Sequence, residues 1–413
     1  MRRSALLAAA VLVVALAAGA AHAAPRAVYG IQDDAWLEYG SGTVEQRVAA
    51  LQRLGLDLVR VTVRWDVAEP TQGTFDWTHA DAVLEPLEAA GVDALVTIYG
   101  TPRWANDGRA PNVAPSRGAD FARFAGAVAG RYPFVRRWTI WNEPNQRRWL
   151  ASASPVQYVT KLLNPAYAAI HSVSPSSLVA GGVTAPRGGA GGLSPVAFIR
   201  GMGRLNARLD AYAHHPYALV RGETPWGGGC AHCGTITMST IDRLVSETRN
   251  AFGPVRLWLT ELGYQSNPPD RRAGVPLGVQ ASYVAAAAYV AWATPRVDIL
   301  IQYLYRDEPN LGYWQSGLET TAGRRKPAMA AVEVPLAQVR RVGTRTEIWG
   351  AIRRGSGVRA YRLQRWGGTA WTSVGGARQT RADGTIGRVV QAARGTKFRL
   401  VSAGIAGNVL VVR

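Results

Sequence analysis

The stretch Trp138-Thr139-Ile140-Trp141-Asn142-Glu143-Pro144 contains an apolar run that ends on a carboxylate. A second stretch, Leu257-Trp258-Leu259-Thr260-Glu261, repeats the arrangement far downstream. Apolar runs without polar alternation are typical of parallel strands buried on both faces. The two stretches therefore predict two buried strands that deliver Glu143 and Glu261 to the same end of one sheet.

Six further apolar runs have the same character, and amphipathic segments with helix-start residues lie between them. Thr43 with Gln46 has the spacing of a capping box, while Pro155 and Pro195 suit the first turn of a helix. Eight strands alternating with helices predict an α/β fold, a (β/α)8 TIM barrel over residues 24–335, with its active site at the carboxyl ends of the strands. The predicted strands span residues 28–32, 58–63, 94–99, 137–141, 178–183, 210–214, 256–260 and 299–305.

Residues 336–413 show a different sequence pattern, with short runs of alternating apolar and polar residues that glycines interrupt. This pattern predicts a small C-terminal all-β sandwich of the Ig-like kind. Trp349, Trp366 and Trp371 are expected in its core, because a small domain needs large buried rings to offset its high surface-to-volume ratio. A sugar-binding platform built from the same rings is the alternative.

The basic charge of the chain is concentrated in this tail. Residues 336–413 contain 14 Arg and one Lys against Glu347 and Asp383, which gives +13 of the whole-chain +19. On an exported protein such a domain would be drawn to anionic cell-wall or capsule polymers, and salt would weaken the attraction. A basic domain without a partner is the equally weighted alternative, and no nucleic-acid partner is expected.

The amino terminus has the parts of a secretory signal peptide. Arg2-Arg3 precedes an apolar stretch over residues 5–18, and Ala21-His22-Ala23 forms an A-x-A cleavage site. We expect residues 1–23 to be removed and the protein to be secreted, with the cell wall as one destination. A retained membrane anchor is the alternative, but a span needs about 20 apolar residues and this stretch is shorter. No later segment is long and apolar enough to predict a membrane span.

Cys230 and Cys233 are the only cysteines of the chain and lie in a glycine-rich stretch. In an oxidising exterior, a pair at this short spacing favours a disulfide. A zinc site would need four ligands, and only His232 lies beside the pair. Neither a metal nor a cofactor is therefore expected.

Two glutamates at strand ends, in a chain rich in tryptophan, are the residues that cleavage of a glycosidic bond requires at a minimum. A retaining enzyme of this kind uses one carboxylate to attack the anomeric carbon and another to protonate the departing oxygen, about 5 to 5.5 Å apart. Glu143 and Glu261 follow strands 4 and 7, which face each other across a barrel mouth. Asn142 is placed to donate to the sugar 2-hydroxyl, and Arg60, on strand 2, supplies a positive charge that keeps a neighbouring nucleophile ionised.

Further candidates follow the later strands of the predicted barrel. His215 and Tyr217, after strand 6, are placed to hydrogen-bond the carboxylates or the substrate. His214 is expected to point away from the mouth, because adjacent strand residues alternate in direction. Two or three of six tryptophans near the predicted mouth are expected to stack on sugar faces, and the others to pack. The six are Trp36, Trp65, Trp104, Trp149, Trp226 and Trp314.

Four of these motifs together resemble the clan A glycoside hydrolases, in the order expected of their barrel. They are Leu58-Val59-Arg60, Trp141-Asn142-Glu143-Pro144, His215-Pro216-Tyr217 and Thr260-Glu261-Leu262-Gly263. The stretch Tyr99-Gly100-Thr101-Pro102-Arg103-Trp104-Ala105 is similar to family 39 and its relatives, and the general pattern also fits the family 5 cellulases. The resemblance covers residues 27–335. It implies a (β/α)8 catalytic domain, net retention, Glu143 as acid/base and Glu261 as nucleophile.

The eighth strand departs from the family 5 pattern. Members of that family usually present a tryptophan there as a floor for the sugar, whereas this chain reads Gln302-Tyr303-Leu304-Tyr305-Arg306-Asp307. Tyr305, or Trp314 in the following loop, is expected to take its place. Trp104 is expected as a further substrate contact.

The sequence therefore predicts a secreted retaining O-glycosyl hydrolase that acts on a polysaccharide, with β-linkages favoured. A transglycosylase, which passes the same covalent intermediate to a sugar instead of water, is one alternative. A carbohydrate-binding wall protein without catalysis is another. The combination of both glutamates with Asn142, Arg60 and His215 argues against the second alternative, because binding alone does not need that set.

Overall fold

The computed structural model of the chain describes residues 27–230 and 232–413. The predicted signal peptide, residues 1–23, lies outside the described residues. Among the helices that are described, none combines the length and the apolar character needed to cross a bilayer.

Eight parallel strands close into a barrel and follow one another around it in chain order. The last closes the ring against the first, with Val28 beside Ile299 and Gln32 beside Tyr303. The predicted TIM barrel is confirmed, and each predicted strand overlaps an observed one. The barrel strands are β1 (Val28–Gln32), β2 (Leu58–Arg64), β3 (Asp93–Tyr99), β4 (Arg137–Ile140), β5 (Leu178–Thr184), β6 (Ala211–His214), β7 (Arg256–Leu262) and, after the short strands β8 (Ser266–Asn267) and β9 (Val275–Pro276), β10 (Val297–Tyr303).

Two apolar clusters pack around the barrel strands. The larger cluster combines strand and helix side chains and includes the buried rings of Trp65, Trp138 and Trp141. The smaller cluster has only strand residues among its buried members, with Trp258 as the largest. Burial on both faces explains why these strands read as continuous apolar runs.

Helices follow the barrel strands and supply the outer layer. At α2 (Val44–Arg53) the Thr43 hydroxyl accepts from the Gln46 N–H, and the Gln46 side chain accepts from the Thr43 N–H, so the predicted capping box is confirmed. Pro155 and Pro195 stand in first turns, as predicted. The other helices are α1 (Asp34–Tyr39), α3 (Trp65–Ala68), α4 (Thr78–Ala89), α5 (Gly118–Arg131), α6 (Pro155–Gln157), α7 (Asn164–Val173), α8 (Pro195–Gly203), α9 (Ile241–Phe252), α10 (Leu277–Ala293) and α11 (Pro327–Glu333), with a π-helical turn at Tyr158–Leu163 and 3-10 turns at Arg103–Ala105 and Met238–Thr240.

The C-terminal region folds into two antiparallel sheets, which confirms the predicted all-β domain. One sheet has three strands and the other has six when the short edge strands are counted. The core between them is mainly aliphatic, with Tyr361 and Phe398 as its rings. The strands are β11 (Leu336–Val342), β12 (Arg345–Ala351), β13 (Ala360–Trp366), β14 (Trp371–Ser373), β15 (Arg378–Gln379), β16 (Thr385–Gln391), β17 (Lys397–Ser402), β18 (Ile405–Ala406) and β19 (Leu410–Val411).

The tryptophans of this domain lie outside its core. Trp366 and Trp371 form a half-buried cross-strand pair with ring centroids 5.4 Å apart. The prediction that they are core residues is wrong, because they sit at the edge of the larger sheet, where β14 is only three residues long. Trp349 is buried, but its ring belongs to the cluster that fills the barrel layer.

Helix α10 packs between the barrel and the sandwich. Trp349 of β12 contacts Tyr289 and Trp292 of α10, with ring centroids 5.8 Å apart in both pairs. The Arg353 guanidinium lies 3.7 Å from the ring centre of Tyr29 in β1. A helix that is covered on two sides needs no polar face, and α10 is accordingly apolar around most of its circumference.

The glycine-rich loop between β6 and α9 contains a disulfide that joins Cys230 and Cys233, with Cα atoms 5.6 Å apart. The same loop carries Trp226. The Arg413 guanidinium of the sandwich lies 3.4 Å from the Trp226 ring centre, so the C-terminal domain also contacts this loop.

Candidate active site

A cavity of about 1000 Å³ opens at the carboxyl ends of the barrel strands. Its walls include segments that follow β1, β2, β4, β5, β6, β7 and β10. Glu143, three residues beyond β4, and Glu261, inside β7, both line the cavity, as do Asn142 and Tyr217. Active sites of eight-stranded α/β barrels collect at this face.

Arg60 is the buried centre of the polar network in this site, with only 1% of its surface exposed. Its Nε donates to the Thr97 hydroxyl at 2.8 Å and its Nη1 to the Gln32 side-chain oxygen at 2.6 Å. Its Nη2 donates to the Asn142 side-chain oxygen at 3.0 Å. Partners on several strands therefore fix the guanidinium in one orientation.

Glu261 receives hydrogen bonds on both carboxylate oxygens. Arg60 Nη1 donates to Oε1 at 2.5 Å, and the Tyr217 hydroxyl donates to Oε2 at 3.1 Å. Burial raises the pKa of the Tyr217 phenol well above its usual range, so this hydroxyl keeps its proton. Both contacts stabilise a negative charge on Glu261.

The backbone at Glu143 is set by irregularities in β4 and β5. Trp141 and Glu143 have positive φ angles of 70° and 40°, and Val183 has a φ of 46°. The register of β5 against β6 shifts between Gly182 and Thr184, which marks a bulge. The Val183 carbonyl accepts from the Glu143 N–H at 2.9 Å. The bulge thus holds Glu143 in a conformation that costs a non-glycine residue about 1 to 3 kcal/mol.

Gly182 is required at the bulge. Its φ of 85° suits glycine, and a Cβ at this position would overlap the Tyr212 ring. The Gly182 N–H donates to the Tyr158 hydroxyl at 3.0 Å, and that hydroxyl donates to the Ile140 carbonyl at 2.8 Å. The buried Tyr158 phenol therefore ties the end of β4 to the bulge in β5.

Burial controls the protonation of Glu143 and His215. It raises the pKa of the Glu143 carboxyl from 4.5 to about 7, and nearby hydrogen bonds and positive charges oppose only part of this rise. It lowers the pKa of His215 to about 3, so the imidazole is neutral at neutral pH. A hydrogen bond of 3.0 Å joins His215 Nδ1 to Glu143 Oε1. Glu143 therefore holds a proton up to nearly neutral pH.

Glu143, His215 and Glu261 each place one polar atom within 4.8 Å of the other two. A metal ion could use such a trio. However, Arg60 already supplies the positive charge that faces Glu261. The trio therefore suits proton transfer and nucleophilic attack better than metal binding.

The structure brings most of the predicted site residues together. Trp314 and Trp149 line the cavity, two of the six tryptophans considered. Trp314 stacks on Tyr217 with ring centroids 4.3 Å apart. His214 is held away from the carboxylates, as predicted, because its Nδ1 contacts the Thr184 hydroxyl at 2.9 Å. The predicted residues that converge are Glu143, Glu261, Arg60, Asn142, His215, Tyr217 and Trp314.

Tyr305 and Trp104 do not line the cavity, whereas Trp314, the alternative to Tyr305, does. β10 ends at Tyr303, two residues earlier than predicted, and Tyr303 takes the place at the mouth. Tyr305 instead stacks on Trp36 with ring centroids 3.7 Å apart. Trp104 packs outside the cavity, where its Nε1 donates to the Glu69 carbonyl at 2.9 Å.

Several polar residues of the cavity wall were missed by the sequence reasoning. Gln32 and Asp34 line the cavity at the end of β1. Their signal was available, because Gln32-Asp33-Asp34 is a polar run directly after an apolar strand. Arg148 and Arg187 line it from loops, where no periodicity or motif marks them.

An eight-stranded α/β barrel with paired glutamates at the ends of its fourth and seventh strands has the features of a clan A glycoside hydrolase. Comparison with solved structures confirms the predicted resemblance. A family 39 glycoside hydrolase from Bacteroides cellulosilyticus WH2 matches with a TM-score of 0.63 at 17% identity, over 92% of this chain and 81% of that chain. A β-xylosidase from Caulobacter crescentus CB15 matches with a TM-score of 0.58 at 17% identity, over 89% and 94%.

A family 5 protein, GH5_18 from Streptomyces cattleya in complex with GlcNAc, matches with a TM-score of 0.54 at 17% identity, over 75% of this chain and 79% of that chain. The family model of glycoside hydrolase family 42, described as β-galactosidase, matches residues 33–126. That stretch contains Arg60 and neither glutamate. A search of curated protein sequences finds no match. At these identities the likeness to solved structures establishes the fold.

Proposed function

We propose that the protein is a secreted retaining glycoside hydrolase that cleaves O-glycosidic bonds of a β-linked polysaccharide by double displacement. The closeness of Glu143 and Glu261 carries this proposal, since a carboxylate oxygen of one lies within 4.8 Å of one of the other. Retaining enzymes hold the two carboxyl groups about 5 to 5.5 Å apart, whereas inverting enzymes need about 6.5 to 9.5 Å to admit a water.

The reaction has two steps. In the first, a Glu261 oxygen attacks the anomeric carbon while Glu143 gives its proton to the glycosidic oxygen. The bond to the leaving sugar breaks, and a glycosyl ester forms on Glu261. In the second step, the Glu143 carboxylate takes a proton from water, whose oxygen attacks the same carbon and displaces Glu261. Each step inverts the configuration at the anomeric carbon, so the product has the configuration of the substrate.

The electrostatics of the site support this division of roles. The pKa of about 7 keeps Glu143 protonated in mildly acidic solution, as a general acid requires. Glu261 faces the Arg60 guanidinium and is the better nucleophile. Because the Asn142 side-chain oxygen accepts from Arg60, its amide N–H groups remain to donate to the sugar 2-hydroxyl.

Product analysis tests the proposal. Purified residues 24–413 would be incubated with aryl β-glycosides and β-linked polysaccharides, and the first-formed anomer would be followed by NMR. We expect the β-anomer first, with slow mutarotation afterwards. The α-anomer as first product would contradict retention. Products longer than the substrate would identify a transglycosylase, and binding without cleavage would favour a non-catalytic wall protein.

The basic C-terminal domain supports action at an anionic cell-wall or capsule polymer. Residues 336–413 carry a net charge of +13, and the Arg399 guanidinium lies 4.4 Å from the ring centre of the half-buried Trp371. We expect the full chain to sediment with such a polymer and salt to release it. Retention that is independent of salt would contradict an electrostatic contact. Detection in culture medium of a chain that begins at Ala24 would test export.

A further inference from the structure

The charged groups that line the cavity are divided between its two sides. Carboxylates follow β1, β2 and β10, whereas two guanidinium groups, Arg148 and Arg187, follow β4 and β5. In the closed ring, β5 lies opposite β1 and β4 lies opposite β10. The side after β1, β2 and β10 is therefore mainly acidic, although Arg64 and His79 also line it, and the side after β4 and β5 is basic, apart from the catalytic pair. The carboxylates of the acidic side are Asp34, Glu38, Asp76 and Glu308.

Arg187 presents an unsatisfied donor. Its Nη2 pairs with the buried Glu223 carboxylate. Its Nη1 is buried and has no hydrogen-bond partner among the residues that the structure describes. Buried N–H groups of charged side chains are destabilising when unpaired, and almost all such groups in folded proteins have a partner. Arg187 lines the cavity with a partly exposed side chain, so a small movement of that side chain would bring this group to a ligand oxygen.

Arg148 is an uncompensated positive charge at the same side. Within residues 27–230 and 232–413 it forms no ion pair, and its guanidinium lies 5.4 Å from the ring centre of Trp149. Its charge acts on Glu143 and Glu308 without pairing with either. Arg148 differs in this from the other basic groups of the lining, because Arg187 pairs with Glu223, Arg64 with Asp66 and His79 with Glu38.

The position of Glu143 indicates which sugar of the substrate meets the basic side of the cavity. Glu143 protonates the oxygen that leaves, so the sugar attached to that oxygen extends past Glu143 toward the loops after β4 and β5. Trp149 offers this sugar a flat apolar face. Guanidinium groups offer it planar pairs of donors, which match the two oxygens of a carboxylate.

We propose that Arg148, Arg187 and Trp149 form the subsite for the leaving sugar, and that this sugar is a uronic acid. The substrate class is then an acidic polysaccharide with a carboxylate on the leaving side of the scissile bond. The inference rests on the proposed glycosidase activity for the direction of the subsite. Asp34 and Asp76 on the opposite side, which form no ion pair within the described residues, disfavour an anionic sugar there, so the charge pattern also sets the orientation of the chain.

The experiment compares matched substrates that differ only in charge. Short oligosaccharides of β-linked uronate polymers, hyaluronan and gellan among them, would be used as prepared and after chemical reduction of their carboxyl groups to alcohols. The proteins are the wild type, Arg148→Gln, Arg187→Gln and the control Arg147→Gln. Arg147 is the exposed neighbour of Arg148, donates to the Ala151 carbonyl at 3.2 Å and lies outside the cavity lining.

We expect the wild type to cleave the acidic form with a kcat/KM at least about tenfold above that for the reduced form, in line with a charge-assisted contact. Arg148→Gln and Arg187→Gln each lose most of this preference, and Arg147→Gln keeps it. Equal kcat/KM on both forms by the wild type overturns the proposal. So does a preference that survives the combined replacement of Arg148 and Arg187.

Calorimetric binding to the Glu261→Gln protein separates failure of this inference from failure of the proposed function. If the wild type cleaves neither these oligosaccharides nor any of the aryl β-glycosides and β-linked polysaccharides, the hydrolase proposal fails. Tighter binding of the acidic form than of the reduced form, lost on adding Arg148→Gln but not Arg147→Gln, still supports the subsite. Equal binding of the two forms overturns it. The charge of the C-terminal domain is the same in all these proteins, so its attraction for the acidic form cancels between variants but not between the two substrate forms.

Discussion

The ends of β4 and β7 carry the same side chain in opposite surroundings. Glu143 sits at a positive φ of 40°, has its pKa raised to about 7 by burial, and is hydrogen-bonded to the neutral imidazole of His215. Glu261 lies within β7, where the register against β10 shifts between Leu259 and Leu262, and it accepts a hydrogen bond from the permanently charged Arg60. Burial keeps a proton on Glu143 up to nearly neutral pH, whereas a guanidinium hydrogen-bonds Glu261. In the proposed mechanism, neighbouring groups, and not residue type, divide the roles of acid and nucleophile.

Removing the β7 carboxylate has the largest expected effect. In Glu261→Gln the amide keeps the shape of the side chain but cannot form the glycosyl ester. We expect kcat to fall by about 10⁴-fold or more, as for other nucleophile replacements. Initial rates on the best substrate of the panel would measure it. Residual activity above about one hundredth of wild type would show that Glu261 is not the nucleophile.

Replacing the β4 carboxyl has a smaller effect that depends on the leaving group. Glu143→Gln removes proton donation, which contributes about 10²- to 10⁴-fold on a polysaccharide. The loss should be much smaller on an aryl glycoside with an acidic phenol, because that leaving group departs without a proton. The measurement is the loss of rate on the polysaccharide compared with the loss of rate on the aryl glycoside. Equal losses on both would contradict the role of general acid.

Arg60→Lys tests whether a positive charge alone is enough to make the surroundings of Glu261 differ from those of Glu143. Lysine keeps the positive charge but cannot bond Thr97, Gln32 and Asn142 together. We expect the free energy of unfolding to drop by about 1 to 3 kcal/mol, with a lower kcat/KM. Urea unfolding measures the change in the free energy of unfolding, and initial rates measure the change in kcat/KM. Arg53→Lys, at an exposed position of α2, is the control, and a loss as small as in that variant would contradict the network.

The pH profile tests the β4 end without a substitution. A general acid works only when protonated, and burial raises the pKa of Glu143 from 4.5 to about 7. Activity should therefore persist to neutral pH and then fall by about tenfold for each further pH unit. The measurement is kcat/KM against pH on a substrate with a poor leaving group. A decline that begins near the ordinary glutamate range would mean that Glu143 is not shielded from water in solution.

The fold and the placement of the two glutamates could be predicted because local sequence determines them. Each barrel strand is a nearly continuous apolar run, and the two carboxylates stand at or just beyond the ends of two of those runs. The bulge at Gly182 and Val183 leaves a weaker trace, two consecutive glycines in a strand, and its effect on Glu143 arises only through a contact across strands.

The position of the tyrosines after β10 could not be predicted for a different reason. β10 pairs with β1 as far as Gln32 and Tyr303. Beyond that point the Tyr305 N–H donates to the Asp33 carboxylate at 3.1 Å, which turns the chain away from the cavity. The strand therefore ends because of a residue that lies at the other end of the barrel sequence. Loop residues such as Arg148 and Arg187 pose the same difficulty, since only the folded loops bring them to one wall.

The apolar surface of α10 limits how this protein can be re-engineered. If the chain were cut after the barrel, the rings of Tyr289 and Trp292 would lose Trp349, and Tyr29 would lose Arg353. The exposed patch would invite aggregation. A graft that exchanges the basic tail for another module must therefore bring a matching face for α10, because here the C-terminal domain also serves as the outer wall of the barrel.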